Sequence, residues 1–296
     1  MKKIALISFV ENLNYGGTLQ AYALEKYIEN AYEDISCEYI KYVKKQGKAT
    51  VVWFCRKILY TLLRKDDTPS WSIKEYTNLV KNMLLKKNNS NMRENVKLFQ
   101  QFWELSKYSS YMSRKELFDN ELDYDLYIVG SDQVWNCGRL DLDTTYLLDF
   151  VKDNEKKASY APSLSLKSIP EKYRKKYIKY LSSFKYLSCR EKAGAKVIKE
   201  LIDRDVKNVL DPVFLLGKHE WEMVENIPMN LRDKCNFIVV YILDESEILT
   251  SYAKNYAESM GMEIVYIYGD LSKNECVGPS EWLWYLRNAK MIFTNS

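Results

Sequence analysis

The chain has 296 residues, 47% of them hydrophobic and 28% charged, with a formal net charge of +4. That apolar fraction can fill one large or two ordinary cores, so two domains are expected. The small, well-mixed charge gives no basis for a nucleic-acid surface and leaves room for a small anionic ligand.

Six cysteines (Cys37, Cys55, Cys137, Cys189, Cys235 and Cys276) form no C-x-x-C pair, and the single histidine, His219, cannot anchor a zinc-type cluster. Reduced thiols and no metal site are expected. A signal peptide would need a longer apolar run than Met1–Phe9 supplies, and no segment reaches about 18 uninterrupted apolar residues. A cytoplasmic protein is expected.

The first apolar run, Ile4 to Phe9, predicts a strand, and a helical pattern begins at about Thr18. Between them stands Asn14-Tyr15-Gly16-Gly17. The paired glycines let the main chain turn tightly and approach a ligand, while Asn14 and Tyr15 supply polar atoms at the helix start. An ordinary strand-to-helix turn has the same composition. From about Lys41 the rhythm breaks. Residues 41–87 hold twelve Lys or Arg against three acids, Asp66, Asp67 and Glu75, and a basic helical insertion over about 41–110 is expected. Within it, Val51–Lys65 sets bulky apolar residues beside a basic flank, the pattern of a helix making peripheral contact with an anionic membrane. A helix packing its apolar face on the domain, with its lysines in water, fits the same pattern.

Further on, strands are predicted at Leu126–Val129, Lys157–Ala161, Lys185–Ser188 and Val206–Leu210, and helices from about Pro170, Glu191 and Lys218. Strand and helix in alternation imply parallel pairing with right-handed crossovers, hence an α/β fold with an open doubly wound sheet. A second Rossmann-like set follows: Phe237–Ile242, a helix near 245–260, Glu263–Ile267, a helix near 279–289, and Met291–Thr294. The polar, proline-bearing stretch 225–234 reads as the linker, so domains of 1–224 and 235–296 are expected.

In an open parallel sheet, ligands gather beyond the carboxyl ends of the strands. After Asn14–Gly17, the next exit is Gly130-Ser131-Asp132-Gln133-Val134-Trp135-Asn136, whose density of polar groups exceeds what an ordinary loop needs. One of them could accept a proton from a sugar hydroxyl, although an Asp after a glycine is also a common helix cap. Later exits are Tyr160-Ala161-Pro162-Ser163, Cys189-Arg190-Glu191 and Asp211-Pro212. Arg190 leaves a strand and enters a helix, which aims its guanidinium at the crevice, where it can hold a carboxylate or phosphate bidentately. An ion pair with Glu191 or Asp211 is the rival arrangement. The chain has no G-x-G-x-x-G, no Walker motif, no G-x-S-x-G and no H-E-x-x-H, which counts against dinucleotide oxidoreductases, P-loop NTPases, serine hydrolases and zinc proteases.

Six stretches in this order, Asn14–Leu24, Asp125–Asn136, Ala158–Ser163, Ser188–Ala195, Val209–Leu216 and Gly278–Leu283, resemble the polysaccharide pyruvyl transferase family over nearly the whole chain. The resemblance implies two Rossmann-like domains facing across a cleft, as in glycosyltransferases of the B type. Pyruvate would move from phosphoenolpyruvate onto a pair of hydroxyls of a glycan acceptor as a ketal, with no cofactor. It places Arg190 at the anionic donor and lines the cleft with Asn14, Tyr15, Gly16, Gly17 and Gln20. It also sets Ser131, Gln133, Trp135, Tyr160, Ser163, Ser280, Glu281, Asn295 and Ser296 on the substrate side. Asp132 or Glu191 is then the carboxylate expected to handle protons or orient hydroxyls.

Family members normally run on past a strand like Met291–Ser296 into Ser-Phe-His-Gly and further elements. By the resemblance the second domain is therefore incomplete, with an uncovered sheet edge that invites association, and the chain alone is expected to transfer little or no pyruvate. Two other functions stay open. A nucleotide-sugar glycosyltransferase would use the same cleft, and the ligand that stabilises the fold tells the two apart. A non-catalytic glycan-binding or partner-binding relic would draw on the 24 tyrosines and 7 tryptophans, rings that serve equally to fill cores.

Overall fold

In the computed structural model, which describes residues 1–43, 89–138, 142–228 and 236–296, the predicted alternation becomes a mixed α/β fold with a central parallel sheet. Val51–Lys65, most of the expected basic insertion, and residues 229–234 of the expected linker lie outside the described residues.

The chain divides into two units. The first comprises Met1–Val43, Phe99–Ile227 and Gly278–Arg287. It starts with β1 (Lys2–Ile7), whose last four residues are buried, followed by α1 (Tyr15–Ala31) and β2 (Ile35–Val43). Next come α2 (Ser90–Trp103, in this unit from Phe99 onward), β3 (Tyr108–Ser113), α3 (Arg114–Asp119), β4 (Leu126–Val129) and β5 (Lys157–Ser159). Residues 41–43 thus close β2, and 108–110 open β3. All pairings are parallel and the order is β3-β2-β1-β4-β5, so the direction of winding reverses between β1 and β4. That reversal opens a crevice beyond the carboxyl ends of these two strands.

The winding continues through α4 (Glu171–Leu181), β6 (Ser188–Cys189), α5 (Lys192–Ile202), β7 (Lys207–Asn208) and the short α6 (Lys218–Glu222). A parallel bridge from Ala158 to Tyr186 leads from β5 toward the β6–β7 pair. One sheet face carries Ala5, Ile7, Tyr127 and Val129 into a core with Trp135, Tyr177 and Phe184. The other carries Ile4, Leu6, Cys37 and Tyr39 against Ala21, Leu24 and Ile28 of α1. Period-two alternation along the strands makes both cores at once.

Helix α1 is buried over most of its circumference, and it carries Glu25, whose side chain is fully inaccessible. One carboxylate oxygen accepts from the Lys107 N–H at 2.8 Å, and the other has no hydrogen-bond partner among the described residues. Burial pushes the Glu25 carboxyl up, against the opposing pull of Ser106, the Lys107 amide and Lys26. The folded chain therefore keeps this proton to a higher pH than the unfolded chain. The associated stability is fully present below the ordinary carboxylate range and is lost as pH rises through the raised value. Glu25→Gln keeps an acceptor for Lys107 and cannot ionise. It is expected to be more stable than the parent at pH 8 by about 1 kcal/mol, with the advantage shrinking at pH 4. Calorimetric melts at both values check this, and an advantage independent of pH would refute it.

The second unit comprises Lys44–Leu98, Pro228–Val277 and Asn288–Ser296. Here β8 (Phe237–Ile242), fully buried, pairs in parallel with β9 (Glu263–Tyr268) and β10 (Ile292–Thr294) in the order β10-β8-β9. Helix α7 (Glu247–Met260) joins β8 to β9, capped by Ser246 and stopped by Gly261 at φ 60°. The buried Asn95 amide donates to the carbonyls of Leu271 and Asn274 and accepts from the Val277 N–H, tying three main-chain groups together. The last helix, α8 (Pro279–Asn288), belongs to the first unit up to Arg287.

Candidate functional site

The site lies in the first unit, where the exits of β1, β4, β5 and β6 converge. At the β1 exit Asn14 caps α1, its side-chain oxygen accepting from the Gly17 N–H at 2.8 Å. A Cβ on Gly17 would stand 3.1 Å from Asn12 Nδ2 and 3.4 Å from Asp132 Oδ2, so glycine lets the β4 loop close down on the helix start. Gln20 ties the two exits together. Its amide nitrogen donates to the Gly17 carbonyl and its oxygen accepts from the Ser131 N–H.

Ser131 is completely buried and fully paired: its hydroxyl donates to the Ala161 carbonyl, and its own carbonyl accepts from Ser8. Beside it, Asp132 projects its carboxylate half into solvent and takes the Gln133 N–H at 2.7 Å. Its carbonyl accepts from the Ser163 N–H at 2.7 Å, which joins the β4 exit to the β5 exit. Asp132, Ala161 and Ser165 have φ of 68°, 52° and 48°, a left-handed conformation that costs a non-glycine residue about 1 kcal/mol. Three such residues on neighbouring loops mark where the fold tolerates strain to aim its side chains.

At the β6 exit the Arg190 guanidinium donates from Nη1 to Asp211 at 2.7 Å and stands 3.5 Å from Glu191 through Nε. Both partners of the rival arrangement are therefore engaged. Burial alone draws Arg190 down, but the hydrogen bond and charge of Asp211, with Glu191 and Asp132 adding, raise it above its ordinary value. The group is a permanent cation. Its Nη2 has no acceptor in the chain among the described residues, so one edge of the fork remains for a ligand. Glu191 in turn receives the Ser163 hydroxyl in a short contact and the Leu164 N–H at 3.3 Å. It stands at the start of α5 without capping it by side chain.

Tyr160 is half-buried, and its hydroxyl is pushed up by burial first, then by the charges of Tyr27 and Asp211. Asp211 also caps the turn Pro212–Phe214 by accepting from the Val213 N–H. One guanidinium thus faces three carboxylates, and a doubly acidic ligand must compete with Asp211 for it.

The remaining predicted residues sit elsewhere. Trp135 is wholly buried, its indole N–H donated to the Tyr146 carbonyl and its ring edge-on to Phe184. Tyr15 is 3% exposed, stacked on Trp282 of α8 at 5.1 Å and packed against Phe99, while Gly16 is exposed. In α8, Ser280 accepts the Asn226 N–H at its carbonyl, and Glu281 accepts the Gly278 N–H at 2.9 Å. Asn295 and Ser296 belong to the second unit, where Asn295 accepts from the Leu243 N–H and donates to the Asp244 carbonyl. Asn12 and Ser8 had no place in the predicted site. The only signal for Asn12 is its spacing of two residues before the cap.

Cys189 lies directly behind Glu191, and burial pushes its thiol up to about 11, with the Glu191 charge adding. Burial likewise pushes Cys37 up to about 12. Native protein at pH 8 is expected to alkylate both at least about tenfold more slowly than unfolded protein, by peptide mass spectrometry. Labelling of Cys189 at the unfolded rate would mean that the β6 exit opens freely.

A cleft of about 610 Å³, lined by residues including Phe118, Asp119, Asp123, Tyr127, Phe150 and Asp153, lies at the entry ends of β4 and β5. That is the opposite end of the strands from the converging loops. No cluster of metal-ligating side chains occurs among the described residues, and none of their helices is long and apolar enough to cross a membrane.

No curated protein and no solved structure matches the chain. The family model described as polysaccharide pyruvyl transferase matches residues 14–296, which takes in the start of α1 and the exits of β4, β5 and β6. The chain therefore belongs to the polysaccharide pyruvyl transferase family, whose name is that of a transferase.

Proposed function

We propose that this site serves the transfer of pyruvate from phosphoenolpyruvate to two hydroxyls of a sugar in a cell-surface glycan precursor. The observation that carries this reading is the position of Arg190, one edge of its fork without an acceptor among the described residues, among loops that converge beside the β1–β4 reversal.

The chemistry asks for these residue types. Protonation of the methylene carbon leaves a cationic centre that one sugar hydroxyl attacks, losing its proton. Phosphate then departs, and the second hydroxyl adds and loses its proton. One of the two released protons replaces the one given to carbon and the other leaves with phosphate, so the products are the ketal and inorganic phosphate. Arg190 would hold the donor's carboxylate or phosphate throughout. Asp132 and Glu191 are the acceptors for hydroxyl protons, Glu191 being oriented by Ser163 and the Leu164 amide.

Thermal melts with phosphoenolpyruvate test the donor. At about 100 times its dissociation constant, mass action adds about 2.7 kcal/mol and raises the melting temperature by several degrees. Phosphate release with a panel of glycan acceptors tests the transfer. Protection by uridine or guanosine diphosphate sugars, with none by phosphoenolpyruvate, would replace this reading with a glycosyltransferase.

A further inference from the structure

Two large apolar side chains stand in water on either side of a carboxylate that the site uses. Leu210 is 67% and Phe214 71% exposed, and Asp211 between them holds Arg190 at 2.7 Å. The surrounding residues turn inward: Pro212 and Leu216 are buried, and Leu215 packs against the core beneath α1. Phe214 is the large apolar member of this run that faces out.

The backbone holds it there. Asp211 accepts from the Val213 N–H with its side chain and from the Phe214 N–H with its carbonyl, and the Leu215 N–H donates to Pro212. Trp221 fixes the turn from below through a 3.3 Å bond from its indole N–H to the Val213 carbonyl. The Phe214 N–H is held by the Asp211 carbonyl, so the exposed ring stands on the same one-turn segment whose first residue carries the Arg190–Asp211 pair.

A pyranose presents an apolar face of C–H groups and a rim of hydroxyls, and it is bound well by a rigid aromatic ring beside polar acceptors. We propose that Phe214, with Leu210, forms a shelf for the apolar face of a hexopyranose unit of the acceptor, next to Arg190 and Asp211. The assignment of that sugar as acceptor rests on the transfer reading above; the shelf itself rests on the exposed ring.

Calorimetric titration with methyl gluco-, galacto- and manno-hexopyranosides, on the parent chain and on Phe214→Ala and Phe214→Trp, tests it. Phe214→Ala is expected to weaken binding about tenfold or more, and Phe214→Trp to restore it. Because the side chain is exposed, the melting temperature and its rise with phosphoenolpyruvate should stay at parent values in both. Binding unaffected by Phe214→Ala overturns the shelf, as does absence of hexopyranoside binding by the parent. If hexopyranosides bind in a Phe214-dependent way while phosphoenolpyruvate fails to stabilise the parent, the donor assignment falls and the shelf stands.

Discussion

Gly130→Ala is expected to yield little or no folded protein. Gly130 has φ 120°, and a Cβ there would stand 2.1 Å from the Tyr160 carbonyl oxygen, a main-chain atom fixed by the bond from the Tyr160 N–H to Val129. Neither the angle nor the overlap can be relieved without separating the β4 and β5 exits. The cost should reach about 3 kcal/mol or more, a large part of a domain's net stability. Gly261→Ala is the control, since its φ is also positive, at 60°, but nothing among the described residues lies within 4 Å of the added carbon. That change should cost only about 1 kcal/mol. Equal denaturation midpoints for the two variants would refute the close approach at Gly130.

Arg190→Ala is expected to have the largest effect on function. It removes the cation from a ring of three carboxylates and leaves Asp211 and Glu191 repelling each other, partly buried. The stability loss should be about 1–2 kcal/mol, read as a drop of a few degrees in melting temperature. Phosphoenolpyruvate-dependent phosphate release should fall about 100- to 1000-fold. Arg190→Lys keeps the charge but cannot serve Asp211 and a ligand at once with a planar fork, so it should recover only part of the loss. An Arg190→Ala chain that is stabilised by phosphoenolpyruvate as well as the parent would remove Arg190 from the donor site.

The sheet was legible where strands are short and apolar, as at Ile4, Leu126 and Phe237. β2 and β3 were harder to see. In β2, Glu38 and Lys41 interrupt the apolar residues, and the buried Cys37, Tyr39 and Ile40 do not keep a strict alternation. β3 is the edge strand Tyr-Ser-Ser-Tyr-Met-Ser, whose half-exposed position removes the need for aliphatic residues.

The candidate site was legible to the same depth. Parallel winding dictates which loops meet, and Asp132, Ser163, Arg190 and Glu191 do meet. Which polar residues serve the fold depends on partners remote in sequence. Gln20 reaches Ser131 across 111 positions, and Trp135 is sealed by Phe184 and the Tyr146 carbonyl. The Arg190–Asp211 pair spans 21 positions and needed only the right choice between two named arrangements.

The stacking of Tyr15 on Trp282 has a consequence for biosynthesis. The ring that opens the first helix is covered by a residue 267 positions later. On the ribosome, a nascent first unit would display Tyr15 and its aromatic neighbours until residue 287 had emerged. Its maturation therefore waits on translation of the helix at 279–288, and a chain stalled before that helix would present the sticky surface to chaperones.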